Sequence, residues 1–433
     1  DIKRFQKFHS EIKFIKERVT ETLGDLYGMH WPFKQHQTAR NIKIFPHHEI
    51  LKKNGACFGV SGGYERPMWF SMDNQEPKYN YSYRYQNWYP SVEFETKNCR
   101  KNVGLFDLTP FSKFELKGDK AFEELQRICT ANIKNEPGKC VYTQMLNNDG
   151  GIEADVTVVC LERNYFRIIS SAATRERDKF HINKNLTTNI ELTDVTDKYC
   201  VFGLFGPKSR ELISSISKED FSNKNFKFAT GKKIKINNVE TWVQRLSYVG
   251  ELGYEIYVEF DKAVEIYSLL INEGKKYNIS NCGMHSLDIM RMENGFLHWG
   301  HDISPEENQY QAGLEFAISF KKNVDFIGKD SLLKIKENKI NKRLMMFRLK
   351  DTKPGEPLLL HDEPIYLDKK IIGRTTSGNY SFNFNTNLAF GYVNSGNTKE
   401  GLKGKNIYIE VEKSKYVAEL LDSPLNNNNY KKL

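Results

Sequence analysis

The stretch "VYTQMLNNDGGIEADVTVVCLERNYFRIISS", residues 141–171, constrains the fold more than any other. β-Branched and aromatic residues fill three short runs, punctuated by Asn-Asn-Asp-Gly-Gly and Arg-Asn. Turn clusters between such runs read as three successive strands joined by tight turns. One residue is out of place. Asp155 lies between Ala154 and Val156 near the start of the second run, although Asp is depleted in strands and expensive to bury. Read locally, its carboxylate faces solvent or caps a neighbour.

The surrounding chain mixes element types. Ile12, Ile15, Val19 and Leu23 recur at helical spacing among charged residues, so 2–23 reads as a helix. It runs into "YGMHWPFKQHQTARN" (27–41), where Pro32 stops the helix and an apolar, irregular stretch is left to pack against something else. From 56 to about 335, helices at 119–130, 261–277 and from 286 interrupt strands, and 241–260 reads as a β-hairpin. A strand, a Gly-Pro break and a helix fill 198–216, and a turn followed by a strand fills 104–118. Strand runs with interposed helices, and no strict βαβ rhythm, give an α+β fold. After about 340 only short strands and turns remain, as in "EPIYLDKKIIGRTTSGNY", which gives a small all-β barrel or sandwich. "PLNNNNYKKL" closes the chain as a polar tail with nothing to bury, and no repeat stands out.

Composition excludes several classes. No apolar run approaches the roughly 20 residues needed to span a bilayer. The start "DIKRFQKFHS" is charged from its first residue, unlike a signal peptide, and lacks Met, which reads as processing or as a piece of something longer. The net charge of +9 comes from dispersed lysines rather than a basic block, so nucleic acid is not the expected partner; a small anionic ligand suits it equally. The seven cysteines form no CxxC pair and no zinc-like set, and read as reduced core residues of an intracellular protein without a structural metal. The glycines of "GACFGVSGGY" do not fit GxGxxG, there is no P-loop, and "HWGH" (298–301), without a nearby carboxylate–His set, reads as aromatic packing or ligand contact rather than a metal site.

Three charged residues then stand together. Asp155 follows a double-glycine turn, Glu255 sits in "SYVGELGYEIYV" with Tyr248 seven residues before, and Arg291 lies among methionines in "MRMENGF". Each alone reads as a paired buried charge. Jointly they suit one polar pocket within an aromatic shell, the usual make-up of a small-molecule site.

At these residues the chain resembles the folate-dependent aminomethyltransferase family, whose type member is the glycine cleavage T-protein. "GGIEADVTV", "SYVGELGYEIYV", "RMENGFLHWGHDIS" and "DFIGKDSL" carry the resemblance, in order and in register, over roughly residues 56 to 430. "YGMHWPFKQHQTARNIKIFPHHEIL" and "FGVSGGYERPMWF" are not T-protein sequence; they resemble the junction in dimethylglycine and sarcosine dehydrogenases, where a flavin domain runs into the T-protein-like half. The implied organisation is a flavin-domain remnant at 1–55, a folate-binding domain at 56–335 and a C-terminal β-barrel at 340–430. Ala154, where the T-protein usually has a second acid, matches the dehydrogenase branch, and "DFIGKDSL" lacks the Cys-bearing segment of the iron–sulfur assembly folate proteins.

The resemblance implies tetrahydrofolate-dependent one-carbon transfer. A flavin domain (same chain or partner subunit) oxidises an N-methylated glycine, and tetrahydrofolate captures the iminium to give 5,10-methylenetetrahydrofolate. FAD belongs only to that flavin domain, so this chain alone is expected to bind folate without oxidising the amine. Asp155 is the implied catalytic residue, with the double glycine carrying backbone and acid up to the folate. Glu255 is the implied pterin acceptor, Tyr248 and Arg291 belong to the same pocket, and Tyr142, Met145 and Leu146 wall the pterin. The enzyme class is mitochondrial in animals and cytoplasmic in bacteria. A stand-alone transferase served by a lipoyl carrier protein, and a non-catalytic folate-binding module, are the alternatives.

Overall fold

The computed structural model describes residues 6–72, 75–338, 340–426 and 429–433. The runs around Asp155 become strands β5 (Cys140–Leu146), β6 (Ile152–Glu162) and β7 (Tyr165–Ser170). With β4 (Ser112–Lys117) and β8 (Leu192–Asp194) they form a five-stranded antiparallel sheet in the order β5-β6-β7-β4-β8. Alternation along β6 sends Ala154, Val156 and Val158 into a core with Leu125, Ile128 and Ile182 from two covering helices. Residues 153, 155 and 157 therefore share the opposite face.

A second sheet has the order β10-β11-β12-β9-β3-β13, made of Gly231–Ile236, Val239–Gln244, Gly253–Glu259, Tyr199–Phe205, Val103–Asp107 and Ile279–Cys282. Only β13 and β3 run parallel. Its outer face packs Val243, Ile256 and Val258 on Leu212, Ile213, Ile266 and Leu270 of two helices. The two sheets meet through Val159, Val201, Trp242 and Tyr257, joined by Leu287 and Met290 of the helix Met284–Glu293. Backbone bonds stitch the seam: Cys140 N donates to Ala229 O at 3.0 Å and Gly231 N to Gly138 O at 2.7 Å. The fold is α+β, as read from the element pattern. A hairpin of β1 (Ala56–Ser61) and β2 (Tyr64–Phe70) packs beside it.

The C-terminal strands close a barrel, β14-β17-β16-β15-β18-β19, of Lys342–Leu349, Thr386–Asn394, Lys370–Ser381, Pro364–Leu367, Ile407–Val411 and Ser414–Leu420. Closure removes free strand edges and encloses a core of Phe347, Ile365, Val393 and Ile409.

Some expectations are corrected. The 104–118 segment holds two strands, β3 and β4, rather than a turn and one strand. The N-terminal helix runs Ile12–Asp25, and its apolar stripe faces outward: Val19, Leu23 and Leu26 are exposed, and Tyr27 is 96% exposed. Residues 2–5 of the expected helix lie outside the described residues. The polar tail is not loose. Leu425 packs against Met292, Asn426 N donates to Glu293 O at 3.0 Å, and Tyr430 meets Phe228 and Phe296 edge-on. All seven cysteines are buried and free. Among the described residues no helix is long and apolar enough to cross a membrane.

Candidate functional site

Two hairpins, one in each sheet, present an acid in the same way. In β5–β6, Gln144 lies directly opposite Asp155 and its Nε2 donates to Asp155 Oδ1 at 2.7 Å. In β11–β12, Gln244 lies opposite Glu255 and its Nε2 donates to Glu255 Oε2, also at 2.7 Å. Each glutamine precedes its acid by 11 residues, a repeat that local reading of the sequence missed. The amide orientation in the second hairpin is fixed chemically. Trp242 Nε1 can only donate, and it reaches Gln244 Oε1 at 3.2 Å, so the NH₂ must face Glu255.

Neither acid has a cationic partner among the described residues. Arg177, on the helix Arg175–Asn185, is taken by Glu153, which shares a face of β6 with Asp155. Both acids sit deep in the protein yet remain only half-buried, so water still reaches them. Burial pushes the Asp155 carboxyl up to about 6 against the opposing hydrogen bond from Gln144. Glu255 is raised for the same reason, against Gln244 and Tyr257, whose Oη donates to Oε2 at 3.1 Å. Glu255 Oε1 accepts no hydrogen bond from a described residue.

Aromatic rings wall the space between the acids. Tyr142, on the same face of β5 as Gln144, stacks on Phe316 with centroids 6.2 Å apart, and burial, then the nearby Asp155 carboxylate, raises its phenol. Tyr248 stacks on Phe296 at 5.8 Å, and its Oη donates to Leu297 O at 2.6 Å. Tyr142, Asp155, Asp288 and Arg291 all lie within electrostatic reach of one another or of Tyr248. Of the residues singled out from sequence, Tyr142, Asp155 and Tyr248 thus come together, and Glu255 lies within reach of Cys140, which shares a face of β5 with Tyr142.

Arg291 has a different place. It is 2% exposed, and four of its N–H groups are engaged. Nε donates to Asp288 at 2.8 Å, Nη1 to Phe296 O at 3.0 Å and to Asp302 at 2.6 Å, and Nη2 to Ser377 Oγ at 2.9 Å. The network ties the helix Met284–Glu293, the loop 294–302 and barrel strand β16 together. Asp302 is fully buried and also accepts from Thr376 at 2.6 Å, Ser377 at 2.7 Å and His298 N at 3.0 Å. Burial opposes ionisation of Asp288, but Arg291 and then His298 outweigh it and hold its carboxyl down at about 2. Arg291 therefore shapes the cleft from behind rather than lining it.

Two wall residues are corrected. Met145 points to the core side of β5 and is fully buried with Ala154 and Phe114. Leu146, after a register shift at Met145/Leu146, is buried against Ile303, Tyr310 and Leu332. Neither offers surface to a ligand. The double glycine also has another partner than a ligand. Gly150 takes φ +86°, and a Cβ on Gly151 would collide with the Pro305 carbonyl, so the turn docks on the protein's own 303–307 loop. "HWGH" gathers no metal set: among the described residues no cluster of three His, Cys, Asp or Glu can hold an ion.

Comparison with known proteins agrees with this architecture. The GCVT N-terminal domain family matches residues 47–322, the glycine cleavage T-protein C-terminal barrel domain matches 342–426, and the FAD dependent oxidoreductase central domain matches 1–44. The chain is 39% identical to 4-methylaminobutanoate oxidase (formaldehyde-forming) of Paenarthrobacter nicotinovorans, over 88% of this chain and 46% of that protein. It is 31% identical to human mitochondrial dimethylglycine dehydrogenase, over 85% and 42% respectively. Against the aminomethyltransferase of Halothermothrix orenii it is 32% identical, over 78% and 92%. The chain thus spans about half the length, or less, of the two oxidoreductases. Aminomethyltransferase T of the Bartonella henselae glycine cleavage system shares its fold, with TM-score 0.76 at 20% identity over 89% of this chain and 98% of that one. With a family match across most of the chain, and a relative matched over nearly its whole length, the chain belongs to the glycine cleavage T-protein family of aminomethyltransferases.

Proposed function

We propose that the cleft binds tetrahydrofolate and serves one-carbon transfer from an oxidised N-methylated amino acid. The observation that carries this is the pair of half-buried acids, each held by one glutamine, facing an aromatic-walled space. The residues fit the ligand. Glu255 Oε1, without a partner among the described residues, is suited to accept from the amino and ring N–H groups of a pterin. The rings of Tyr142 and Tyr248 offer flat apolar walls. Tetrahydrofolate, when bound, supplies the amines that take up the one-carbon unit as 5,10-methylenetetrahydrofolate. The protein's part is positional and electrostatic. Gln144 fixes the Asp155 carboxylate on a rigid strand, where it stabilises positive charge or takes a proton near neutral pH.

The two oxidoreductase relatives are named for 4-methylaminobutanoate and dimethylglycine, both N-methylated amino acids. The 1–44 match and the outward apolar stripe of Ile12–Asp25 favour a flavin oxidoreductase domain as the source of the iminium, over a lipoyl carrier protein. The part of the Paenarthrobacter oxidase that lies outside the 46% matched here should co-elute with the wild-type chain and fail to do so with Val19→Glu/Leu23→Glu; equal retention would remove the interface.

The folate reading is tested by titration. Wild type should bind tetrahydrofolate, and Glu255→Gln should weaken binding roughly 10- to 100-fold through loss of charge-assisted hydrogen bonds. Unchanged affinity would take Glu255 out of the site, and absence of wild-type binding would end the reading.

A further inference from the structure

Arg66 on β2 is an arginine without a hydrogen-bonding partner among the described residues. It is half-buried, its Nε is buried without a hydrogen bond, and its side chain makes no ion pair or hydrogen bond with any described residue. The interior arginines differ: Arg100, Arg167, Arg175 and Arg291 each hold at least one carboxylate, and Arg245 donates to Phe226 O and Leu433 O. Its strand neighbour Glu65, pointing to the other face, is itself paired with Arg40. A guanidinium whose inner edge is buried and unpaired gains from an anion brought to it, and that points to an anion supplied from outside.

The surroundings say what kind of anion. Tyr79, Asp288 and His285 are the titratable groups within electrostatic reach of Arg66 among the described residues. Tyr79 Oη bonds His285 Nε2 at 3.0 Å, and Trp88 stacks on His285 at 5.2 Å with Phe33 edge-on to both. One cation in an aromatic enclosure suits a monoanion such as a carboxylate rather than a polyanion. His285, Asp288 and Arg291 follow one another at i, i+3 and i+6 on the helix Met284–Glu293. They mark a line of about 9 Å from the Arg66 enclosure to the cleft beside Tyr248. At the other end, Phe33 and Gln35, whose N donates to Tyr81 Oη at 2.9 Å, belong to the segment matched by the FAD dependent oxidoreductase domain.

We infer that Arg66 binds the carboxylate of a ligand on the route between the flavin-domain side and the folate cleft, an inference that rests on the proposed transfer. For a zwitterionic N-methylated amino acid the orientation follows. The carboxylate sits on Arg66 and the cationic nitrogen points toward Asp288 and the cleft. A glutamyl tail of tetrahydrofolate offers the same group.

The test uses the full chain as wild type, Arg66→Met and Arg66→Lys, with N,N-dimethylglycine, dimethylamine, tetrahydrofolate and tetrahydropteroate as probes in calorimetry. Wild type should bind dimethylglycine at least 10-fold more tightly than Arg66→Met, with Arg66→Lys between them and dimethylamine indifferent to the change. If Arg66→Met instead weakens tetrahydrofolate but not tetrahydropteroate, the carboxylate is the folate's. Arg66→Met should melt no lower than wild type, because no protein partner is lost; a lower melting temperature, or unchanged affinity for every probe, overturns the inference. Failure of wild type to bind either folate defeats the transfer reading, while the dimethylglycine comparison still reports on Arg66.

Discussion

Asp155→Asn should slow one-carbon transfer by about 10²–10⁴ while leaving tetrahydrofolate affinity within a few-fold of wild type. The substitution keeps the side chain's shape, and an asparagine oxygen can still accept from Gln144, so the hairpin should be preserved. What is removed is the negative charge and the site for a proton. The wild-type rate should fall as pH drops through about 6, where the carboxyl becomes protonated, and the variant should lack that limb. Stability moves the other way. The folded-state value near 6 lies above the unfolded value of about 3.9, so ionised Asp155 is disfavoured by folding. Its contribution is favourable below about pH 4, is lost as pH rises toward 6, and is a constant cost above that. Asp155→Asn should therefore be more stable than wild type at pH 7.5, by on the order of 2 kcal/mol, with the advantage vanishing near pH 4. Single-turnover transfer and urea unfolding at the two pH values check both halves. A variant that transfers at the wild-type rate would reduce Asp155 to a bystander, and the cleft to a folate-binding module.

Much of this site was legible in the sequence because its elements are short-range. Turn residues and alternation placed β5, β6 and β7 and set Asp155 on the face opposite Ala154 and Val156. The same rule applied to β5 shows why Met145 failed as a wall: Tyr142 and Gln144 share a face, and Met145 must take the other. Non-local facts were not legible. That Arg291 would be met by Asp302 and by Ser377, 86 positions away, depends on how the barrel docks. The tail looked inert by composition, yet Tyr430 reaches the ring of Phe296. One missed signal was present all along. Gln144 and Gln244 each stand 11 residues before the acid they hold, a spacing visible once two hairpins are laid side by side. Arg66 carried no sequence signal, since an unpaired guanidinium becomes visible only when its surroundings are known.

Arg291→Met should destabilise the protein by about 3–5 kcal/mol, the cost of removing one member of a buried ion pair. Two carboxylates depend on it. Asp302 is fully buried and keeps only neutral donors from Thr376, Ser377 and His298 N once the guanidinium goes. Asp288 retains only Asn379 Nδ2 at 3.1 Å. Arg291→Lys should rescue little, because one ammonium cannot span Asp288, Asp302, Phe296 O and Ser377 as the planar fork does. The acid limb gives a second readout with a definite sign. Asp288 is depressed to about 2 in the folded protein, so its contribution is present above about pH 4 and is lost as pH falls toward 2. Arg291→Met should show a shallower loss over that window. The structure also predicts coupling. Arg291→Met and Asp302→Asn, combined, should destabilise by less than their sum, since Asp302→Asn removes the charge that Arg291→Met strands. Strict additivity would mean that the loop 294–302 and the barrel hold their places without the arginine, and that the cleft is shaped by packing alone.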